Sequence, residues 1–236
     1  MTDQALLVDD REIALTVRYS ARARYYSLSV DNASGRVVLV VPRRASLKQG
    51  LKFAAEKAVW VQNRLALMPA RVPFAAGSEI PLFGLPRRIE AVPKIDGGGV
   101  VRITDTHIWV KSHDEHLARR LSDWLRREAK RVLGPEARAK AELAGRRVTA
   151  IGIRDQRTRW GSCASSGRMS FSWRLLLAPE WVRDYVVAHE VAHLVEMNHS
   201  ARFWRVVERL TPHTKEGRAW LRRHGESLHR YGPTSG

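Results

Sequence analysis

The sequence predicts an α+β protein: an antiparallel, β-rich N-terminal domain with one covering helix, then a domain in which an H-E-x-x-H helix stands beside a β-hairpin. Three observations carry this. Apolar and polar residues alternate in short runs as far as residue 112. From His113 the apolar spacing changes to that of a helix. Near the C-terminal end, His189 and His193 sit four apart in a run that is otherwise almost wholly apolar. The boundaries expected are 1–112 for the first domain and 113–236 for the second.

In the first domain, Ile13, Leu15, Val17 and Tyr19 alternate with polar neighbours, as do Tyr26, Leu28 and Val30; Val37 to Val41 follows a turn at Asn32-Ala33-Ser34-Gly35. The simplest reading is an antiparallel meander. Ser46 with Gln49 has the pattern of a capping box, and Leu47, Leu51, Ala54, Ala58, Val61 and Leu65 mark one face of a helix that runs to Pro69 and covers the sheet. Further strands are expected over Ile80–Phe83, Arg88–Val92, Val100–Ile103 and His107–Val110, with turns at Gly84 and Gly97-Gly98-Gly99.

The second domain opens with a helix whose apolar stripe is Leu117, Leu121, Trp124, Leu125, Val132 and Leu133, interrupted at Gly134-Pro135 and resuming to Leu143. Val148 to Arg154 and Arg168 to Leu177 read as the strands of a hairpin joined through Arg157-Thr158-Arg159-Trp160-Gly161-Ser162-Cys163. Pro179 follows, at the kind of position where proline starts a helix.

That helix carries the chemistry. Residues four apart share a helix face, so His189 and His193 can aim two imidazoles at one metal ion, with Glu190 one step round beside them. Two satisfied core histidines are the plain alternative. An unpaired carboxylate buried among Val182, Val186, Val187, Val191 and Val195 costs several kcal/mol, however, and a cation explains Glu190 where packing does not. Catalytic zinc usually takes three protein ligands and leaves a position open. His199 is the expected third. On a continued helix it would point about 240° away from His193, so the chain must break first. Asn198 is suited to the left-handed conformation that ends a helix, and Ser200 to capping a new one. Glu208 and Glu196 are the rival ligands. Arg157, Arg159 and Trp160 are candidate substrate-binding residues: the arginines can stabilise an oxyanion or an acidic group, or can simply pair with Asp155 or Asp184. The lone Cys163 is expected to be a buried structural thiol.

Composition sets further bounds. The acidic N-terminal residues do not resemble a signal peptide, no apolar run is long enough to span a membrane, and one cysteine fits a reducing compartment; the expected location is the cytoplasm. A net charge of +17 attracts polyanions, which makes nucleic acid a candidate partner, although a charge run is more often a solvated face.

The run Thr158 to Cys163, the segment Tyr185 to His193, and Asn198-His199-Ser200 with Phe203-Trp204 resemble the YgjP-like metallopeptidase family, also called DUF45. The likeness extends over most of the chain and is shared, more distantly, with SprT and Wss1-type proteases, which act on proteins crosslinked to DNA. By that resemblance the second domain is zincin-like, His189, His193 and His199 match zinc ligands, and Glu190 matches the catalytic glutamate. The spacing to His199 also matches the metzincins, except that Glu196 stands where they have glycine. A zinc metallopeptidase acting on protein or peptide is therefore the leading expectation. A UTP pyrophosphohydrolase, a label that some relatives carry, and a non-catalytic nucleic-acid-binding protein with structural zinc are the alternatives. Against the first stands the lack of a phosphate loop or a magnesium-binding acidic cluster; against the second, Glu190 would have no task.

Overall fold

The computed structural model describes residues 2–8, 11–31, 35–68 and 70–233. The expected turn at Asn32–Ser34 and the stop at Pro69 lie outside the described residues. The chain divides into two compact units, Met1–Ala70 and Arg71–Gly236.

In the first unit, strands β1 (Thr2–Val8), β2 (Arg11–Ser20), β3 (Ser27–Val30) and β4 (Val37–Pro42) form a sheet in the order β1-β2-β4-β3. This is not the expected meander, because β4 lies between β2 and β3 and runs parallel to β2. The apolar content of the strands explains the order. Val37, Leu39, Val40 and Val41 are all buried, which suits an interior strand, whereas Ser27 and Ser29 leave β3 fit for an edge. The covering helix is two helices, α1 (Leu47–Glu56) and α2 (Ala58–Ala66), broken at Lys57. Ala54, Ala58 and Val61 still close over Leu15, Val17 and Leu39, so the core keeps the predicted stripe despite the break. Ser46 begins α1 without a side-chain cap, and Gln49 instead accepts a hydrogen bond from the Tyr26 hydroxyl.

The second unit starts at Arg71 and not at residue 113 as expected, and its packing shows why. Strands β5 (Val72–Pro73), β6 (Glu79–Leu82), β7 (Leu85–Val92), β8 (Val101–Ile103) and β9 (His107–Lys111) precede the long helix α3 (Asp114–Leu143). Ile80, Leu82, Ile89, Ile108 and Val110 from the β6-β7-β9-β8 sheet belong to the same buried cluster as Leu117, Leu121 and Leu125 of α3 and the residues beyond. A division at residue 112 would cut through that core.

Helix α3 is continuous. Pro135 lies on its exposed side, so the carbonyl that loses its amide partner can be hydrated, while Leu133, Ala137 and Ala141 carry the buried stripe onward. Next, β10 (Ala150–Arg154), β11 (Gly161–Cys163) and β12 (Arg168–Ser172) form a sheet in the order β10-β12-β11. The hairpin is β11 with β12; the first predicted strand, β10, pairs parallel to β12. Residues Trp173–Leu177 form a 3-10 turn instead of extending β12, with Ser172 accepting a hydrogen bond from the Arg174 amide. Then come α4 (Glu180–Ala192), α5 (Ala201–Leu210), α6 (Thr214–His224), a 3-10 turn over Glu226–Arg230 and β13 (Tyr231–Gly232), which pairs with β5.

The start of α4 is held from two sides. The turn at Phe83-Gly84 packs so closely that a β-carbon at residue 84 would lie 2.8 Å from Pro179 Cα, and the Phe83 amide donates to the Leu176 carbonyl at 2.6 Å. Arg183, buried on α4, pairs with Glu136 of α3 at 2.9 Å. Further along α4, Asp184 accepts from Lys140 at 2.7 Å and from the Thr211 hydroxyl. These ties fix the helix that carries the histidines.

Candidate metal centre

Helix α4 ends at Ala192, with His193 keeping helical dihedrals as its cap, so His189 and His193 retain their four-residue relation. The break comes earlier than Asn198 and does not use it: among the described residues the only positive φ outside glycine is at Phe83. The chain turns through residues 193–200, and Ser200 caps α5 by accepting from the Phe203 amide at 3.4 Å. His199 thus comes back over the end of α4.

The result is a cluster of three imidazoles whose ligating nitrogens lie within 4.8 Å of one another. His199 Nε2 is 3.2 Å from His189 Nε2. Glu208 and Glu196 stay outside this group. Phe203, fully buried at the start of α5, packs its ring 4.6 to 5.0 Å from all three imidazoles, which restricts their rotation. His193 Nδ1 lies 3.3 Å from the Glu196 carbonyl, a contact that holds a proton on Nδ1 and leaves Nε2 free as a donor to a metal.

The electrostatics favour neutral imidazoles at His189 and His193. Burial, followed by the neighbouring histidines, pushes His189 down to about 4. Burial also lowers His193, against the opposing hydrogen bond to the Glu196 backbone. Three imidazole nitrogens within 4.8 Å of one another, two of them 3.2 Å apart, suit a divalent cation better than a single shared proton. The donor set fits a metal.

Glu190 is 6 % exposed and faces a cavity of about 440 Å³ lined also by the three histidines, Arg159, Trp160, Tyr185 and Leu221. Burial pushes its carboxyl up to about 7, with Arg159 opposing. Its position depends on Gly161, where a β-carbon would lie 2.5 Å from Glu190 Cγ and 2.7 Å from Oε1. The sequence places Gly161 in the connection between strands; the structure puts it in β11, where an isolated glycine marks a close approach. Tyr185, one helical turn before His189 and 6.0 Å from it ring to ring, was detectable from its spacing.

Arg159 and Trp160 line the cavity, and Trp160 packs against His229 at 5.3 Å. Arg157 lies outside the lining. The alternative partners are engaged elsewhere: Asp155 with Arg174 at 2.7 Å, and Asp184 with Lys140. Cys163 borders the cavity but is no member of the ligand group; burial, then Glu190, raises its thiol to about 11, which keeps it protonated at neutral pH.

Residues 24–224 match the YgjP-like metallopeptidase domain. The chain belongs to the YgjP-like metallopeptidase family. Among solved structures it is similar to the metallopeptidase zymogen abylysin of Pyrococcus abyssi, at 23% identity over 39% of this chain and 94% of that one, with a TM-score of 0.35. At that score the family assignment rests on the domain match alone. A search of curated proteins finds no match. Family membership makes the chain a metallopeptidase and implies a metal cofactor and protein or peptide substrates. No helix among the described residues is long and apolar enough to cross a membrane.

Proposed function

We propose that this YgjP-like chain is a zinc-dependent peptidase of zincin-like arrangement, in which His189, His193 and His199 hold the metal and Glu190 is the catalytic acid–base. The observation that carries it is the convergence of three imidazole nitrogens with a buried carboxyl on one cavity wall beside an edge strand. Zinc held there would acidify a water and polarise a carbonyl. Glu190 takes the proton of the attacking water and passes it to the leaving amine. Strand β11 lies at the edge of its sheet, and its free side can pair with an extended peptide and hold the scissile bond at the cavity. Trp160 gives that peptide an apolar wall, and Arg159 offers a cation to the developing oxyanion or to an acidic group.

The basic surface has a plainer role. On α3, Arg119 pairs with Asp123 and Arg131 with Glu128, as expected of a solvated face. Nucleic acid therefore enters only as a tether that would speed cleavage of DNA-bound proteins at low salt, an effect that fades as salt rises.

The decisive experiment loads the protein with zinc and offers unfolded proteins and, separately, UTP. Cleavage of the proteins that is lost in Glu190→Gln supports the proposal. Release of pyrophosphate from UTP with every protein left intact overturns it. Metal analysis of alanine variants tests the ligands: His199→Ala should lose zinc and Glu208→Ala should keep it.

A further inference from the structure

A second cavity, of about 660 Å³, lies over the open face of the β10-β12-β11 sheet. In the parallel register Ala150 and Gly152 stand beside Arg168 and Ser170, and in the antiparallel register Ser162 stands opposite Ser170. Directly opposed residues share a face, so these form one surface, while Met169 and Phe171 turn the other way into the core. The centre of the face is floored by small side chains. Its rim is cationic: Arg154, Arg159 and Arg168 border the cavity, and no acidic residue among those described does. Neither Arg154 nor Arg168 has an ion pair among the described residues, in contrast to Arg174 and Arg183. The trough adjoins the histidine cavity across strand β11, since Arg159, Ser162 and Cys163 line both.

From this placement we infer that the trough is the specificity subsite of the peptidase and takes an acidic side chain of the extended substrate. The inference rests on the peptidase reading above. A peptide added along the free edge of β11 directs alternate side chains to the face that carries Ser162, at intervals of about 7 Å. A side chain on that face next to the scissile bond enters a trough with hydroxyls on its floor and guanidinium groups on its rim. Aspartate and glutamate satisfy both, as carboxylates accept from hydroxyls and pair in bidentate fashion with arginine. Lysine in the same place meets three like charges. A polynucleotide would satisfy the arginines through its phosphates, but it has no amide groups to pair with the edge of β11, so the peptide is the occupant that uses both features.

The test uses peptides that differ only by Asp, Asn or Lys at each position flanking the cleaved bond. Two readouts are taken: kcat/KM with the zinc-loaded protein, and fluorescence anisotropy of binding to the Glu190→Gln protein. At one alternating set of positions Asp should be favoured over Asn by about tenfold in both readouts, and over Lys by more. Arg154→Glu/Arg168→Glu should reverse the order to favour Lys. Arg154→Ala/Arg168→Ala should bring Asp and Asn close to parity, which separates a lost recognition site from a misfolded charge-reversed protein. Cleavage indifferent to charge at every position, or wild-type preference kept by both double variants, overturns this inference and leaves the peptidase reading standing. Failure of the zinc-loaded protein to cleave any peptide removes the peptidase reading and this inference with it. If a single-stranded oligonucleotide binds and the double variants abolish that binding while Asp and Asn peptides bind alike, the trough is a phosphate site and the inference is wrong.

Discussion

The two units bury different things. The first closes over Leu15, Val17, Val37, Leu39, Val41, Ala54, Ala58 and Val61, with no charged residue in the core among the described residues. The second holds a larger apolar cluster and also buries Arg87, Arg174, Arg183 and Glu190. Three of those four are satisfied. Arg87 donates to the Thr104 and Leu82 carbonyls, Arg183 pairs with Glu136, and Arg174 binds Asp155 and the carbonyls of Leu228 and Tyr231. Glu190 has no ion pair among the described residues and faces a cavity. Burial of charge in a fold therefore has two signatures, a paired one that ties elements together and an unpaired one that marks chemistry.

The sharpest way to break this distinction is to remove one charge of each kind. Glu190→Gln should lower kcat by about a thousandfold or more, because an amide cannot accept the water's proton. It should keep its metal and unfold no more easily than the parent in urea, since no ion pair is lost. A variant with unchanged turnover, or one much less stable, would place Glu190 among the structural charges. Arg174→Met should do the reverse. It strands the Asp155 carboxylate and two backbone carbonyls, and urea unfolding should show a loss of about 3–5 kcal/mol. A stability within error of the parent would show that the network contributes little.

A smaller effect tests how closely the unpaired carboxyl is held. Gly161→Ala places a methyl group 2.5 Å from Glu190 Cγ, so the side chain must move. A displacement of about 1 Å in a catalytic group costs roughly a hundredfold in rate. Zinc content should be unchanged, since the atoms nearest that methyl all belong to Glu190 and not to the histidines. Loss of metal along with activity would mean that Gly161 supports the whole site.

How much of this was legible from the chain depended on whether the information was local. The histidine spacing, the cap at Ser200 and the apolar stripe of α3 are short-range patterns, and the structure keeps them. Strand order is not local: Val37 to Val41 showed a buried strand, but nothing near it says that β2 is its parallel neighbour. The division at residue 112 failed for the same reason, because a change from strands to helices in sequence does not reveal a shared core. Asn198 was read as the helix terminus through its own conformational preference, yet the helix had already ended at Ala192. Gly161 carried a signal that becomes specific only when Glu190 is seen beside it.

The smallest effect concerns pH and again separates the two units. Burial would raise the Asp155 carboxyl, but the hydrogen bonds and charge of Arg174, with help from Trp173 and His229, outweigh it and hold the group below the usual aspartate range. A carboxylate whose folded pKa is lowered adds stability that is fully present above its unfolded pKa, near 4, and disappears as pH falls through the folded value. Asp155→Asn should therefore be less stable than the parent at neutral pH, and the two should converge as the pH drops below about 4. Tryptophan fluorescence can follow this, because seven of the eight tryptophans lie in the second unit and only Trp60 in the first. Urea midpoints at pH 7, 5, 4 and 3 measure the gap directly. If the gap between parent and variant stays constant down to pH 3, the ionised form of Asp155 is not what ties β10 to the C-terminal turn. The network would then act through shape and neutral hydrogen bonds.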